Sequence, residues 1–199
     1  DDGPFVPIIR SVLILQNDLS DRPSYSDAFF LSLVHEIGHT MGLQHTLTSS
    51  VMSTAVTRAS TRSKPLAADD VAGISLLYPA PGFAAQVGSI SGRVTMDGSG
   101  VHLASVVALG PGGSAVSTLS DPDGQYRIGG LPPGLYYLYV HPLPPAQQPG
   151  LGPADIVLPT DAQGAPFPAG GSFETQFHPG TKEIWRAQVV PVAAGASLE

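Results

Sequence analysis

The eleven residues from 35 to 45 constrain this chain more than any other stretch. They read HEIGHTMGLQH, which is the pattern H-E-x-x-H-x-x-G-x-x-H. His35 and His39 are four residues apart, so on a helix both imidazoles lie on one face, as two ligands of one Zn²⁺ require. Gly42 is predicted to end the helix in the left-handed conformation and to return the chain so that His45 becomes the third ligand. Three neutral imidazoles leave a fourth position open, which is typical of a catalytic zinc site.

The residues around the histidines support a helix and a reaction. Glu36 directly follows the first histidine and is predicted to be the general base for an attacking water, not a further ligand. Ser24 and Asp27 are spaced like a capping box at the start of the helix. Apolar residues recur at helical spacing at Leu33, Val34, Ile37 and Met41, which predicts a buried stripe. The alternative is an ordinary amphipathic helix with incidental histidines.

With these residues in place, the segment resembles the metzincin zinc endopeptidases. In that family the zinc motif is followed by a Met-turn, and here Ser50-Val51-Met52-Ser53-Thr54 follows His45 at a suitable spacing. The resemblance assigns Met52 to the turn, beneath the metal and not bound to it. Taken alone, Met52 would more often fill a gap in a core.

The stretch from Leu66 to Tyr78 resembles the C-terminal helix of the matrixins, the matrix-metalloproteinase group. Asp69 and Asp70 lie in its first turn, where the helix dipole favours anions. The resemblance implies that both aspartates anchor this helix beneath the active site; the alternative is a solvated acidic helix start. The same stretch predicts three core-facing residues and a stop at Pro79. The three are Val71, Ile74 and Leu77.

Three features depart from the matrixin pattern. Thr46 stands where the family usually has serine after the third histidine, and Ser53-Thr54 stands where it commonly has Tyr-Pro. Only 34 residues precede His35, and they contain one convincing strand, Ser11 to Asn17, with residues 7–10 leading into it. The upper half of the catalytic domain is therefore expected to be missing from this chain or strongly reduced.

The chain after residue 82 has a different texture, with short strands separated by turns. It predicts an all-β sandwich of residues 83–199 behind a zinc-binding domain of residues 1–82, hence an α+β chain. Predicted strands are 89–95, 101–108, 115–119, 125–128, 135–140, 172–177 and 185–192, with a Pro- and Gly-rich loop at 143–170. The segments Ile90–Val94, Ser120–Tyr126 and Gly130–Tyr136 resemble the carboxypeptidase-regulatory-like domain, a transthyretin-like sandwich.

Two ligands of the sandwich itself, calcium and carbohydrate, have weaker support than the zinc ion. Asp121 and Asp123 could ligate Ca²⁺, but a turn at Asp-Pro-Asp-Gly explains them without a metal. Tyr136, Tyr137 and Tyr139 suggest a carbohydrate or cell-surface contact, against the simpler reading that they alternate between core and surface. These contacts remain hypotheses.

Composition excludes several classes of function. The net charge of −7 leaves no basic stripe for nucleic acid, and no apolar stretch is long enough to span a membrane. The absence of cysteine excludes disulfides, thiolate zinc sites and cysteine nucleophiles. Both family resemblances imply a secreted or extracytoplasmic, bacterial setting.

Two hypotheses follow for function. In the first, the chain is a zinc-dependent endopeptidase of protein or peptide substrates, with Glu36 as general base. Arg58 and Arg62 would then lie in the wall of the specificity pocket, where positive charge favours acidic or polar side chains. In the second, the sandwich is an extracellular binding or adhesion module and the zinc site is a vestigial, non-catalytic remnant.

Overall fold

The computed structural model describes residues 8–14, 27–53, 61, 63–144, 163–165 and 169–199. Within them lie three α-helices: α1 (Asp27–Thr40), α2 (Ala68–Leu77) and the short α3 (Phe83–Gln86). The strands are β1 (Gly88–Arg93), β2 (Thr95–Met96), β3 (Ser99–Gly100), β4 (Ser105–Leu109), β5 (Ala115–Leu119), β6 (Gln125–Leu131), β7 (Gly134–His141), β8 (Gln176–Phe177), β9 (Val189–Val192) and β10 (Ser197–Leu198). The chain is α+β, as predicted, with the helices first and the sheets after them.

Two main sheets face each other across an apolar core. One has the strand order β10-β1-β6, and the other has the order β5-β4-β7-β8, with β9 also paired to β7. Their inward side chains form one buried cluster, as the alternation of strand side chains requires. Its buried members are Ala72, Ile90, Val106, Ala108, Val116, Ile128, Leu131, Tyr136, Leu138 and Val192. Nine of the ten belong to the sandwich, and the tenth, Ala72, comes from α2.

Several predicted strands are placed differently by the structure. The second predicted strand begins at Ser105 and not at Val101, because residues 102–103 form a turn in which Leu103 has a φ of 57°. The sixth is only Gln176–Phe177. In the seventh, Trp185 lies in a 3-10 turn and is 79% exposed, and the strand starts at Val189. A turn replaces strand pairing in the second and seventh predicted strands, and residues 172–175 of the sixth form no regular element.

Helix α2 buries only part of the predicted face, since Ile74 and Leu77 are half-buried but Val71 is not. Val71 is 48% exposed, while Asp70 and Ala72 are buried. The helix packs on β5 and β6, where Gly130 has a φ of 70° and a Cβ on it would lie 3.0 Å from the Ala72 Cβ. This close approach suits an alanine on the contact face, so the larger apolar residue at 71 remains outside.

Helix α1 also buries only part of the predicted stripe, since Leu33 and Val34 are half-buried. Ile37 and Met41 are 43% and 39% exposed, whereas Leu31 and His35 are buried. A second small core explains this orientation, since it forms on the Leu31 side of the helix. Its members are Leu31, Val51 and Met52, with Phe30, Val34 and Leu43 against them. The predicted cap at Ser24 lies outside the described residues.

The strand predicted from Ser11 is not formed. Residues 8–14 belong to no strand, Ile9 is 95% exposed and Ile14 is 87% exposed. A strand needs a hydrogen-bonded neighbour, and no described sheet pairs with this segment. Residues 15–17 of the prediction lie outside the described part of the chain.

Within the described residues no helix is both long and apolar enough to cross a membrane.

Candidate metal centre

Three histidine side chains converge at the C-terminal end of α1. The Nε2 atoms of His35 and His39 are 3.1 Å apart, those of His39 and His45 are 3.1 Å apart, and those of His35 and His45 are 3.3 Å apart. His35 is buried and the other two are partly exposed. Gly42 has a φ of 96°, so the chain leaves the helix in the left-handed conformation and brings His45 back to the helical pair.

The outer nitrogens of the two helical histidines face backbone carbonyls. The Nδ1 of His35 lies 2.6 Å from the oxygen of Val51, and the Nδ1 of His39 lies 2.9 Å from the oxygen of Leu43. A carbonyl oxygen can only accept, so each Nδ1 is assigned the proton and donates it. In the neutral rings the Nε2 atoms then carry lone pairs that point toward one another.

This arrangement fits a tetrahedrally coordinated metal ion. Zinc–nitrogen bonds of 2.0–2.1 Å place neighbouring nitrogens of a tetrahedron about 3.3–3.4 Å apart, and the three Nε2 atoms are 3.1–3.3 Å apart. Lone pairs at this spacing repel, and a central cation converts that repulsion into coordination. The three histidines could therefore hold a metal ion, and the carbonyls behind two of them would fix the rings in the coordinating tautomer.

The loop after His45 folds beneath the metal centre. Met52 is 2% exposed, and a Cβ added to Gly38, between the two helical histidines, would overlap its sulfur. The loop closes on itself, since the N–H of Thr46 donates to the oxygen of Met52 at 3.2 Å. Met52 therefore packs directly against the turn of α1 that carries His35 and His39, and the glycine at 38 makes room for it.

Asp70 holds this loop to α2. Its carboxylate accepts hydrogen bonds from the N–H groups of Val51 at 3.1 Å, Met52 at 3.2 Å and Ala67 at 2.8 Å. Asp70 is 3% exposed, so the charge is compensated by these three donors. The carboxylate joins the start of α2 to the residue whose oxygen faces His35.

Asp69, the residue before Asp70, contacts a different neighbour. Its carboxylate accepts from the hydroxyls of Thr46 and Thr48 at 2.5 and 2.7 Å, and from the N–H of Ser117 at 2.8 Å. Burial raises the pKa of the Asp69 carboxyl above its ordinary value of 3.8, and the hydrogen bonds from Thr46, Thr48 and Ser117 oppose that rise. Asp69 thus joins the loop after the third histidine to strand β5.

The remaining predicted site residues are less constrained. Glu36 is exposed on α1, one residue after His35, and its carboxylate makes no hydrogen bond or ion pair with another described residue. Arg58 and Arg62 lie outside the described residues. Their place in a specificity pocket stays a prediction.

Sequence reasoning missed the hydroxyl and amide donors that surround Asp69. In the sequence Thr46 is notable only as a departure from the usual serine, and no pattern marks Thr48. Ser117 is 48 residues from Asp69 in sequence, and no local pattern signals their contact. Only the packing of α2 against the sandwich brings them together.

The candidate sites of the sandwich have their own geometry. The Oδ1 of Asp121 accepts from the N–H groups of Asp123 at 2.9 Å and Gln125 at 2.8 Å, which is a turn stabilised by its own side chain and favours that reading over calcium. A groove of about 560 Å³ is lined by several aromatic rings and by Arg93 and Lys182. The carbohydrate or cell-surface contact stays a prediction.

Comparison with known proteins agrees with both resemblances. The matrixin family model matches residues 17–79, and the carboxypeptidase regulatory-like domain model matches residues 89–157. No curated protein matches the chain at a significant level. The first match supports a metallopeptidase at the level of the family. The two matches lie in the order predicted from the motifs, so the resemblance of the first segment to the matrixins and of the second to the carboxypeptidase regulatory-like domain is confirmed.

Proposed function

We propose that this chain is a zinc-dependent endopeptidase that hydrolyses peptide bonds of protein substrates. The observation that carries the proposal is the set of three Nε2 atoms 3.1–3.3 Å apart, backed by backbone carbonyls at two of the rings. The matrixin match supports the reaction class. A site with three candidate protein ligands among the described residues and an adjacent exposed carboxylate is suited to catalysis, because a structural zinc site closes its fourth position with protein.

The roles of the residues follow from their chemistry. His35, His39 and His45 would hold Zn²⁺, which when bound acts as a Lewis acid toward water and the peptide carbonyl. Glu36 would accept the proton of the attacking water and then deliver it to the leaving amine. Met52 and Gly42 would shape the centre, and Asp69 and Asp70 would support it from α2.

We further propose that residues 1–82 form the peptidase segment and residues 83–199 the sandwich. A secreted or extracytoplasmic setting is supported by the matrixin match, and the lack of cysteine is compatible with it. The described residues hold no cluster of acidic side chains that would call for calcium beside the zinc.

The test is cleavage of a mixed peptide library by the zinc-loaded chain and by its Glu36→Gln variant. We expect zinc-dependent cleavage by the unaltered chain and a loss of at least about 100-fold in the variant, because general-base catalysis contributes roughly 10²–10⁴-fold. The variant should still bind one zinc ion, since Glu36 is not a ligand. Glu174→Gln is the matched control, because it neutralises an exposed glutamate paired with Lys182 on the sandwich.

The outcomes separate the two hypotheses. Cleavage lost in Glu36→Gln and retained in Glu174→Gln would support the endopeptidase. Zinc binding without cleavage by any of the three proteins would reject it and favour the binding module, in which the metal centre is a remnant.

A further inference from the structure

Strand β5 directs a backbone N–H group that its own sheet does not use toward Asp69, beside the candidate metal centre. It is an edge strand, paired only with β4 among the described strands. An edge strand leaves alternate N–H groups without a partner in the sheet. The N–H of Ser117 donates instead to the Oδ1 of Asp69 at 2.8 Å, and its hydroxyl donates to the Oδ2 at 3.2 Å.

The same carboxylate holds the loop that follows the third histidine. Thr46 and Thr48 donate their hydroxyls to Oδ2, and the N–H of Thr48 donates to the Thr46 hydroxyl at 3.2 Å. The hydroxyl of Thr46 also lies 3.0 Å from that of Ser117. One carboxylate therefore connects the sandwich to the residue directly after His45, beside a cavity of about 290 Å³ that His45, Asp69 and Ser117 all line.

His45 depends on this connection more than the other two histidines do. His35 and His39 lie on one helix, whose backbone fixes their spacing. His45 lies in a loop, so its position is set by whatever holds that loop. Groups behind a metal ligand commonly change metal affinity by about 10- to 100-fold when they are removed.

We propose that Ser117 of the sandwich is a positioning residue of the metal centre, acting through Asp69 and Thr46 on His45. The inference rests on the zinc site of the proposed function and deepens it. It makes the carboxypeptidase regulatory-like domain a structural part of the metal centre and more than a tether.

The experiment measures zinc affinity by competition with a chelating dye, together with the visible absorption spectrum of the cobalt-loaded protein. Ser117→Pro removes the N–H and the hydroxyl, and an edge strand tolerates proline where the N–H points away from the sheet. We expect zinc affinity to fall about 10-fold in Ser117→Pro and about threefold in Ser117→Ala, with a changed cobalt spectrum in the former. Ser117→Thr keeps both donors and should stay within about twofold of the unaltered chain.

Ala115→Pro is the matched control. Ala115 is two residues earlier on β5, so its N–H points to the same side of the strand, and Ser114 before it has a φ of −65° and a ψ of 131°, which a following proline accepts. It makes no hydrogen bond to Asp69, so its zinc affinity should be unchanged. A similar loss in Ala115→Pro would show that the strand and not the contact is responsible, and would overturn the proposal.

Other outcomes also decide the question. If Ser117→Pro and Ser117→Ala melt earlier but bind zinc as the unaltered chain does, Ser117 is only structural and the proposal fails. If Ser117→Pro does not fold, Ser117→Ala and its rescue in Ser117→Thr decide. Peptide cleavage plays no part in this readout, so zinc binding without proteolysis would reject the endopeptidase alone, whereas no zinc binding by the unaltered chain would reject both proposals.

Discussion

At the scale of single residues, two adjacent aspartates show how neighbours in sequence acquire separate tasks. Asp70 accepts three backbone N–H groups and has a fully satisfied carboxylate. Asp69 accepts mainly hydroxyls, from Thr46, Thr48 and Ser117. Successive residues of a helix point about 100° apart, so one aspartate faces the loop under the metal and the other faces the sandwich.

The raised pKa of Asp69 predicts a pH dependence of stability. Because the folded state holds this proton more tightly than the unfolded state, the contribution of Asp69 is fully present below pH 3.8, the ordinary value, and is lost as pH rises through the folded pKa. We expect the free energy of unfolding of the unaltered chain, relative to Asp69→Asn, to fall over that window. Urea unfolding of both metal-free proteins from pH 3 to pH 7 measures it.

The difference between the two proteins cancels the histidines, which they share. The constant part of the difference in free energy of unfolding reports the hydrogen bonds lost in Asp69→Asn. Only the change of that difference with pH reports the titration of Asp69. A difference that is constant with pH would contradict the prediction.

At the scale of elements, α1, the loop of residues 46–53 and α2 form one unit around the histidines. The oxygen of Val51 faces His35, while the N–H of the same residue donates to Asp70. The carbonyl and the N–H group of Val51 are thus both held, the first by His35 and the second by Asp70 at the start of α2. The position of the loop therefore depends on the carboxylate of Asp70 in α2.

Asp70→Ala should therefore be strongly destabilising. It leaves the N–H groups of Val51, Met52 and Ala67 without their acceptor, and a buried unsatisfied donor costs about 1–3 kcal/mol. We expect a loss of roughly 3–5 kcal/mol in the free energy of unfolding, measured by urea unfolding. The control is Asp123→Ala, an exposed turn residue whose removal should stay within about 0.5 kcal/mol; equal losses in the two variants would refute the assignment.

At the scale of the whole molecule, α2 belongs to both halves. Its Asp69 and Asp70 hold the metal loop, and its Ala72 is part of the sandwich core. Gly129 and Gly130 of β6 provide the close approach, with Leu76 and Ala72 of the helix against them. The two halves are therefore expected to lose their structure together.

Gly130→Ala tests this junction. A Cβ added to Gly130 meets the Ala72 side chain at 3.0 Å, and the backbone of Gly130 is in the left-handed region. Gly98 is also left-handed, with a φ of 81°, but has open space around it. Gly98→Ala thus carries the backbone strain of about 1 kcal/mol without the contact. We expect Gly130→Ala to lower the free energy of unfolding, measured by thermal unfolding, by about 1–2 kcal/mol more than Gly98→Ala does. Equal losses would mean that α2 shifts to accommodate the added methyl group at no energetic cost.

Zinc removal tests the coupling directly. A ligand at 1,000 times its Kd stabilises the folded state by about 4 kcal/mol, which for a chain of this size raises Tm by roughly 8–16 °C. Because α2 joins the halves, we expect calorimetry to show one transition that moves as a whole when zinc is added. Two transitions, of which only one responds to zinc, would argue against the junction.

The sequence alone identified the three histidines that could hold a metal ion, the class of both halves and most strands of the sandwich. These depend on local spacing: four residues between helical ligands, a glycine at a left-handed turn, and alternation between turns. The exposed faces of α1 and α2, and the unformed strand at residues 11–14, could not be read in that way, because each depends on which neighbour is present.

Only the tertiary structure decided how the sandwich meets the metal centre. An apolar pattern marks a residue for burial without naming its partner, so Val71 was expected inside and Ala72 took that place. The contact between Asp69 and Ser117 joins residues 48 positions apart through one carboxylate and one edge N–H. Hydrogen-bond partners across such a separation are set by packing geometry, because no local period relates them.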